Sequence, residues 1–382
     1  MLNSLLDAVG AWCCVLVVVG LPGVPAVAEG PVSVRPVVED GTAWYDVQDW
    51  GVEGRGWSDT ERYFDRLPAR ARGQVRQAVW SLSRHSAGMA VRFSTDATAI
   101  RVRYRLLSSR LAMSHMPATG VSGVDLYARD NHGQWRWVAV ARPASQTIRT
   151  ELVSGLAPGR RMYMLYLPLY NGVESLQIGV SPQATFQALP PRGQEPIVYY
   201  GTSIAHGACA SRPGMAFIAI LGRRLDVPVI NLGFSGNGRM ELEVGRLMAE
   251  LDAAVYCIDC LPNMHGKEVA ERAEPLVRLL RKARPHTPIV LVEDRTYTSA
   301  WLLPAQRERH MKSRAALREA YQGLLADGIQ GLFYVPGEHL LGDDGEGATD
   351  GSHPSDLGMM RMADALEPVL RPLVDRSQTT GR

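Results

Sequence analysis

The sequence predicts two domains: an antiparallel β-sandwich or jelly roll over residues 31–190, then an α/β domain over residues 195–375. The first rests on many short strand-like segments without intervening helices. The second rests on five β-then-α units, a pattern typical of a parallel sheet with helices on both faces. A length of 382 residues also suits two domains better than one core.

Alternation with period two indicates the N-terminal domain. Ala99–Leu106 alternates apolar and basic residues, as a half-buried strand does. Further strand-like segments follow between turn signals: GVDLYAR, QWRWVAVARP, RMYMLYLPLY and SLQIGV. The segment RGQVRQAVWSLSRH fits a helix and a strand, and its pattern does not decide between them.

The pattern of predicted secondary structure changes at ALPPRGQEP, whose prolines and glycine predict a linker. Beyond it each strand-like segment precedes a helix-like one: PIVYY before GMAFIAILGRRLD, VPVINLG before MELEVGRLMAEL, AAVYCID before EVAERAEPLVRLLRKA, PIVLVE before RERHMKSRAALREAYQGLLAD, and GLFYV before DLGMMRMADALEPVLRPLV. In such sheets the active site lies beyond the carboxyl ends of the strands.

Residues 1–28 are similar to a cleaved export signal. The apolar run AWCCVLVVVGLPGVPAVA ends in the small residues Ala26, Val27 and Ala28, which favour cleavage before Glu29, although MLNSLLD lacks the usual Lys or Arg. Prolines interrupt the run, so a membrane anchor is the weaker alternative. We expect a secreted or periplasmic protein without stable membrane insertion.

Composition excludes several classes of protein. Net charge is +2 with no Lys/Arg block, so no nucleic-acid partner is expected. Signal cleavage would leave Cys209, Cys257 and Cys260, an odd count that is not a disulfide framework. Cys257 and Cys260 have redox or zinc spacing, but residues three apart on a strand point to opposite faces. We expect buried thiols, and neither a metal nor an organic cofactor.

Four segments of the C-terminal half carry the groups of a serine esterase: YYGTSI, NLGFSGNG, DCLPNM and TDGSHPSD. Ser203 follows a strand and needs an adjacent base to act as nucleophile. His353 can serve as that base, and Asp350, three residues earlier, can orient its imidazole. The Ser203 N–H, the Gly236 N–H and the Asn263 side-chain amide are candidate oxyanion donors. Each segment alone reads as an ordinary turn or cap, but their joint occurrence predicts catalysis.

These segments resemble the four blocks of the SGNH (GDSL-type) hydrolase superfamily. They resemble more closely its subgroup with an N-terminal Gly-x-Asp-Leu-Tyr signature, present here as Gly123–Tyr127. The resemblance implies a flavodoxin-like α/β/α fold, the catalytic roles given above, and short acyl substrates, acetyl above all, on carbohydrate. Thr202 replaces the Asp of the first block, and Leu261–Met264 replaces the Gly-x-Asn-Asp of the third. The residues that the mechanism needs are kept, and the shape of these loops, and therefore the substrate, stays open. The α/β-hydrolase fold shares the order Ser, Asp, His, but its Gly-x-Ser-x-Gly elbow is absent.

The expected function is that of an exported serine esterase that cleaves an acylated small molecule or polysaccharide through an acyl-enzyme. The alternatives are a lipid or phospholipid acyl hydrolase and a glycan-binding protein that retains an idle hydrolase fold. Three histidines could line a pocket: His115, His206 and His265. After the fourth strand, the charged residues Glu293, Asp294 and Arg295 could bind polar groups of the substrate or form surface ion pairs. Trp135 and Trp137 share one face of a strand and fit a sugar-stacking platform, although core packing is the safer interpretation.

Overall fold

The computed structural model describes residues 30–380, so the predicted export signal lies outside the described residues. The N-terminal part forms two five-stranded antiparallel sheets. Its strands are β1 (Val37–Glu39), β2 (Thr42–Asp46), β3 (Ala90–Thr95), β4 (Ala99–Leu106), β5 (Asp125–Arg129), β6 (Trp135–Val140), β7 (Thr147–Ser154), β8 (Arg161–Tyr166), β9 (Val173–Val180) and β10 (Phe186–Leu189). One sheet has the order β1-β2-β9-β4-β7 and the other β10-β3-β8-β5-β6.

Strand β4 shows why this part folds as a sandwich. Its apolar residues from Ile100 to Leu106 are buried between the sheets, whereas the intervening arginines face outward. Arg101 pairs with Glu151 of β7 at 2.8 Å, and Arg105 pairs with Glu174 of β9 at 2.7 Å. Cross-strand pairs of opposite charge on the solvent face support the register that buries the apolar face.

The segment that the sequence left undecided forms the helix α1 (Gln77–Leu82), and α2 (Ala118–Val121) is a second short helix. Val79 and Trp80 of α1 are buried in the same core as Val198 and Tyr200, which belong to the parallel sheet. Contact with another part of the chain therefore decides the conformation of this segment.

The C-terminal part is the predicted parallel sheet with its helices. The strands β11 (Ile197–Gly201), β12 (Val229–Gly233), β13 (Val255–Asp259), β14 (Ile289–Val292) and β15 (Leu332–Val335) pair in the order β12-β11-β13-β14-β15. The helices are α3 (Ser203–His206), α4 (Phe217–Leu225), α5 (Leu242–Met248), α6 (Gly266–Ala283), α7 (Pro304–Ala326) and α8 (Asp356–Thr380). All five predicted β-then-α units are present.

Both faces of this sheet are buried, as its continuous apolar strands require. Ile197 and Tyr199 of β11 pack in the core that includes α4 and α8. Val198 and Tyr200 point the other way, into the core that includes α5, α6 and α7. The result is the three-layer α/β/α arrangement expected from the sequence.

Arg66, in the loop before α1, is buried between the two sheet systems with 1% of its surface exposed. Its guanidinium donates to the backbone carbonyls of Asn231 at 3.0 Å and Gly233 at 2.8 Å, at the end of β12. It also donates to those of Leu82 at 2.7 Å and His85 at 2.9 Å. Burial lowers the pKa of Arg66 to about 9, which still leaves it charged at neutral pH. One side chain thus joins the end of α1 to the edge strand of the parallel sheet.

The structure confirms that Cys209, Cys257 and Cys260 are buried free thiols. Within residues 30–380, no helix is long and apolar enough to cross a membrane.

Candidate active site

Ser203 lies at the carboxyl end of β11 as the first residue of α3. Thr202 caps this helix by accepting a hydrogen bond from the Ile204 N–H at 3.3 Å. The N–H of a first helical residue has no acceptor within its own helix, so that of Ser203 can donate to a bound group. Thr202 thus supplies the cap that the Asp of the usual first block would also supply.

The structure brings Ser203, His353 and Asp350 together in one chain of hydrogen bonds. Ser203 Oγ lies 2.8 Å from His353 Nε2, and His353 Nδ1 lies 2.8 Å from Asp350 Oδ2. The other Asp350 oxygen accepts from the backbone N–H groups of Ser352 at 3.0 Å and His353 at 2.8 Å. A base thus contacts the hydroxyl while a carboxylate orients that base.

The electrostatics of Asp350 suit an orienting carboxylate. Burial alone would raise the pKa of Asp350, but the hydrogen bonds from the His353 backbone and ring, with the charge of that ring, outweigh burial and hold the pKa below its ordinary value. Asp350 is therefore ionised at neutral pH and accepts the Nδ1–H of His353.

Two of the three predicted oxyanion donors lie on neighbouring loops of the sheet. Gly236 is exposed and has φ +69°, a conformation in which glycine carries no steric penalty. With its amide turned so that both ends are satisfied, Asn263 accepts through its oxygen from the backbone N–H groups of Asn237 at 3.0 Å and Gly238 at 3.2 Å, which also donate to the Phe234 carbonyl. Because its oxygen is held there, its NH₂ group is the half left to donate to a ligand.

The altered third block has a structural explanation. Leu261–Asn263 forms a short 3₁₀ turn, and both Leu261 and Met264 are buried in the core beneath α5, α6 and α7. The apolar replacements around Asn263 are therefore core residues.

Arg295 holds the loop that carries the histidine and aspartate. Its Nε donates to the Ser352 carbonyl at 3.0 Å, and its Nη2 contacts the Ser352 hydroxyl. Its Nη1 pairs with Asp294, and both side chains are buried. Burial would lower the pKa of Arg295, but the charge of Asp294 outweighs it and raises the pKa. The predicted charged segment after the fourth strand thus forms neither surface ion pairs nor a substrate contact at this position.

Glu293 has a similar internal role. It is fully buried and accepts from Arg318 at 2.8 Å and from the Gly337 N–H at 2.9 Å. These bonds tie the end of β14 to α7 and to the chain beyond β15.

The three secondary histidines lie in different places. His115, from the loop before α2, has its ring centroid 6.1 Å from that of His353, so the N-terminal domain reaches the site. His206 is buried with its ring stacked on Tyr170 at 4.2 Å, where burial and then the charge of Arg66 lower its pKa far below the usual value. His265 caps α6 in a capping box with Glu268.

A guanidinium lies over each of the two tryptophans of the predicted platform on β6. The Arg129 guanidinium lies 4.9 Å above the Trp135 ring, and that of Arg212 lies 5.1 Å above Trp137. Trp137 is 50% exposed, so core packing is wrong for this residue. Its indole N–H donates to Asp125 at 2.9 Å.

That contact explains the Gly-x-Asp-Leu-Tyr signature. Asp125 is fully buried and accepts from the Gly214 N–H at 2.8 Å and from Arg212 at 2.9 Å, both beyond β11. A Cβ on Gly123 would lie 2.5 Å from the Thr119 carbonyl oxygen, so only glycine fits there. The signature is therefore a contact between the sandwich and the α/β part.

Sequence reasoning missed two groups that contact the two ends of α3, Ser203 and His206. The Tyr170 hydroxyl donates to the Ser203 carbonyl at 3.3 Å, and His85 Nδ1 lies 3.3 Å from His206 Nε2. Both come from the N-terminal half, and no motif marks either one.

Among residues 30–380, one cluster has the ligand types of a metal site: Cys209, Asp350 and His353, with ligand atoms within 4.8 Å of one another. Asp350 and His353 already hydrogen-bond each other, and burial raises the pKa of the Cys209 thiol to about 11.

The parallel sheet, the preceding sandwich and the four segments at one edge of the sheet define an ester hydrolase of the SGNH class. The chain belongs to the GDSL-like lipase/acylhydrolase family, whose model matches residues 194–371. A model of the N-terminus of SGNH-hydrolase-type esterases matches residues 42–186. These matches confirm the resemblance of the sequence segments and identify the chain as a carboxylic ester hydrolase.

Solved structures agree with this assignment. A GDSL-like lipase from Bacteroides ovatus ATCC 8483 is 33% identical with a TM-score of 0.82, covering 87% of this chain and 98% of that chain. The salicylyl-acyltransferase SsfX3 from a tetracycline biosynthetic pathway is 18% identical with a TM-score of 0.64, covering 92% and 96%. A family two carbohydrate esterase from Clostridium thermocellum in complex with cellohexaose is 16% identical with a TM-score of 0.54, covering 75% and 95%. The last two show the fold alone, and no curated protein sequence matches the chain.

Proposed function

We propose that this protein is an exported serine esterase that removes short acyl groups, acetyl above all, from carbohydrate. The hydrogen-bonded chain from Ser203 through His353 to Asp350 carries the proposal. It supplies a nucleophile, a base and an orienting acid at the carboxyl edge of a parallel sheet.

The proposed reaction proceeds through an acyl-enzyme. His353 Nε2 takes the Ser203 proton as Oγ attacks the ester carbonyl, and Asp350 stabilises the imidazolium that forms. The N–H groups of Ser203 and Gly236 and the Asn263 amide donate to the oxyanion. His353 then protonates the leaving alcohol, and water attacks the acyl-enzyme in the second half of the reaction.

The carbohydrate part of the proposal is supported by the fold shared with a carbohydrate esterase solved with cellohexaose. It is supported also by the polar character of the site. The groups around Ser203 are a histidine, backbone N–H groups and an amide, which suit a small acyl group held by hydrogen bonds.

The decisive experiment measures kcat/KM on p-nitrophenyl esters of increasing chain length, beside the variant Ser203→Ala. We expect a preference for acetate and a loss of roughly 10⁴-fold or more in the variant. If the variant is as active as the wild type, Ser203 is not the nucleophile. A panel of acetylated polysaccharides then identifies the natural ester.

A lipid or phospholipid acyl hydrolase is the second candidate, favoured by one observation. The loop after β14 donates from the Thr298 N–H to the Gly351 carbonyl at 3.1 Å, and it ends in exposed apolar side chains. Trp301 is 80% exposed and Leu302 63% exposed. Exposed apolar groups of this kind mark interaction surfaces. A preference for long acyl chains, with higher activity on emulsions than on dissolved esters, would favour this function.

We propose further that the protein is exported and that its mature chain begins at Glu29. The apolar run and the small residues before Glu29 support this proposal. Mass spectrometry of the protein from the culture fluid or periplasm tests it, and retention of residues 1–28 would favour an anchor.

A further inference from the structure

A cleft of about 590 Å³ lies between the two domains beside the candidate oxyanion donors. One wall belongs to α1 and to the loop around Met113, and the other includes Ser235 and Asn237, the two neighbours of Gly236. Tyr170 also lines the cleft, and its hydroxyl donates to the Ser203 carbonyl at 3.3 Å. The cleft therefore adjoins the loop that carries Gly236, and it shares Tyr170 with the backbone of Ser203.

The size of this cleft exceeds what an acetyl group needs. Clefts of about 300–1,000 Å³ enclose ligands of roughly drug size. Its lining is apolar at Leu82, Met113 and Val121, and polar at His85 and Arg110, with no carboxylate. Such a lining suits a ring that has apolar C–H faces and hydroxyl groups at its edge.

The contacts of His85 fix which hydrogen bond it can offer. Arg66 Nη2 lies 3.5 Å from His206 Nε2, and because a guanidinium only donates, His206 Nε2 is an acceptor. His85 Nδ1 lies 3.3 Å from the same nitrogen and must therefore carry the hydrogen. Burial, and then the charge of Arg66, lower the pKa of His85 to about 3, so the ring is neutral at physiological pH. A neutral imidazole protonated at Nδ1 leaves a lone pair on Nε2.

We propose that this cleft binds the hydroxylated ring of the alcohol part of the ester, and that His85 Nε2 accepts a hydrogen bond from a ring hydroxyl. Arg110, on the same lining, donates to a ring oxygen or hydroxyl. The inference rests on the proposed function in one respect, because the large part of an acetyl ester is its alcohol. His85 then determines specificity by distinguishing a hydroxyl donor from an apolar or acceptor-only group.

Calorimetric titration of xylobiose and cellobiose into Ser203→Ala protein tests the proposal without any turnover. We expect at least one of the two sugars to bind. His85→Phe, which keeps a ring of similar shape but has no acceptor, should weaken binding about tenfold, the effect of one good hydrogen bond. His286→Ala is the matched control, because His286 is exposed in the loop before β14 and lies away from the cleft. It should leave the affinity unchanged.

Two results would overturn the proposal: no binding of either sugar, or equal affinity with and without His85. If His85→Phe does not fold, Met113→Trp fills the cleft from its apolar wall and should abolish binding. Sugar affinity that survives this variant counts against the cleft. Failure of the proposed function would appear separately, as ester hydrolysis that survives Ser203→Ala or as no hydrolysis of acetylated sugars by the wild type.

Discussion

At the scale of single residues, Asn263 shows how the backbone fixes the side chain of a proposed oxyanion donor. The N–H groups of Asn237 and Gly238, 3.0 and 3.2 Å away, hold the amide oxygen. The loop after β12 therefore orients the side chain of Asn263, which lies on the loop after β13. A donor fixed before the reaction does not have to reorganise as charge develops on the substrate oxygen.

Asn263→Ala should lower kcat by about 10²–10³-fold with little change in KM, because the donor acts on charge that develops only in the transition state. Steady-state kinetics on p-nitrophenyl acetate measure this. The melting temperature serves as the control for folding. A near-neutral effect on kcat would remove Asn263 from the oxyanion hole.

The five residues predicted for the site stand out in the sequence because each lies in a short segment after a strand or before a helix. Ser203 follows β11, and His353 precedes α8. Arg295 could not be assigned in this way, since an arginine after a strand is usually a surface residue. Its role depends on the buried partner Asp294 and on the Ser352 carbonyl, which only the folded chain places beside it.

At the scale of elements, close backbone contacts set the positions of the loops that carry the site. A Cβ on Gly238 would lie 1.9 Å from the Gly201 carbonyl oxygen, and a Cβ on Gly233 would lie 2.2 Å from the His206 backbone nitrogen. These glycines let the loop after β12 approach the loop after β11. The loops that carry Gly236 and Ser203 are therefore held by backbone packing.

Strand β13 ends in a buried acid whose titration should affect stability. Burial, and then the charge of Asp294, raise the pKa of Asp259 to about 7, although the Tyr199 hydroxyl donates to it at 3.0 Å. Between the ordinary pKa of an aspartate, about 4, and 7 the folded state binds more protons than the unfolded state. The free energy of unfolding should therefore fall as pH rises through this window and stay level above it.

Asp259→Asn keeps the shape and the acceptor for Tyr199 but removes the titration. The variant should match the wild type near pH 5 and melt at a higher temperature near pH 8, because only the wild type must then ionise a buried acid. Thermal unfolding at both pH values measures this. Asp252→Asn, the same change at an exposed aspartate, is the control. A difference in melting temperature between Asp259→Asn and the wild type that is the same at both pH values contradicts the prediction.

The parallel sheet could be predicted because its strands are apolar on both faces and a helix-like segment follows each one. The helix α1 could not, since its six residues are too few for a clear period and its buried face meets the α/β part of the chain. Local pattern is informative where an element packs against its sequence neighbours. It fails where the packing partner is distant in sequence.

At the scale of the whole molecule, the sandwich contributes to the site as well as to the fold. His115 lies beside His353, and Tyr170 donates to the Ser203 carbonyl. Arg66 and Asp125 supply the buried polar contacts that hold this arrangement. The sequence predicted both domains but not the cleft between them, because its walls come from segments far apart in the chain.

Asp125→Ala should loosen this junction. It removes the buried acceptor of the Gly214 N–H and the partner of Arg212, which should lower the free energy of unfolding by about 3 kcal/mol. Denaturant unfolding measures that loss. Limited proteolysis should also cut residues 190–196, between β10 and β11, faster than in the wild type, since separation of the two parts exposes this connection.

Glu174→Ala is the control, because it removes only an exposed pair with Arg105. It should lower the free energy of unfolding by less than about 1 kcal/mol and should not speed cleavage. If Asp125→Ala behaves like Glu174→Ala in both measurements, the signature does not hold the domains together, and its aspartate has another role.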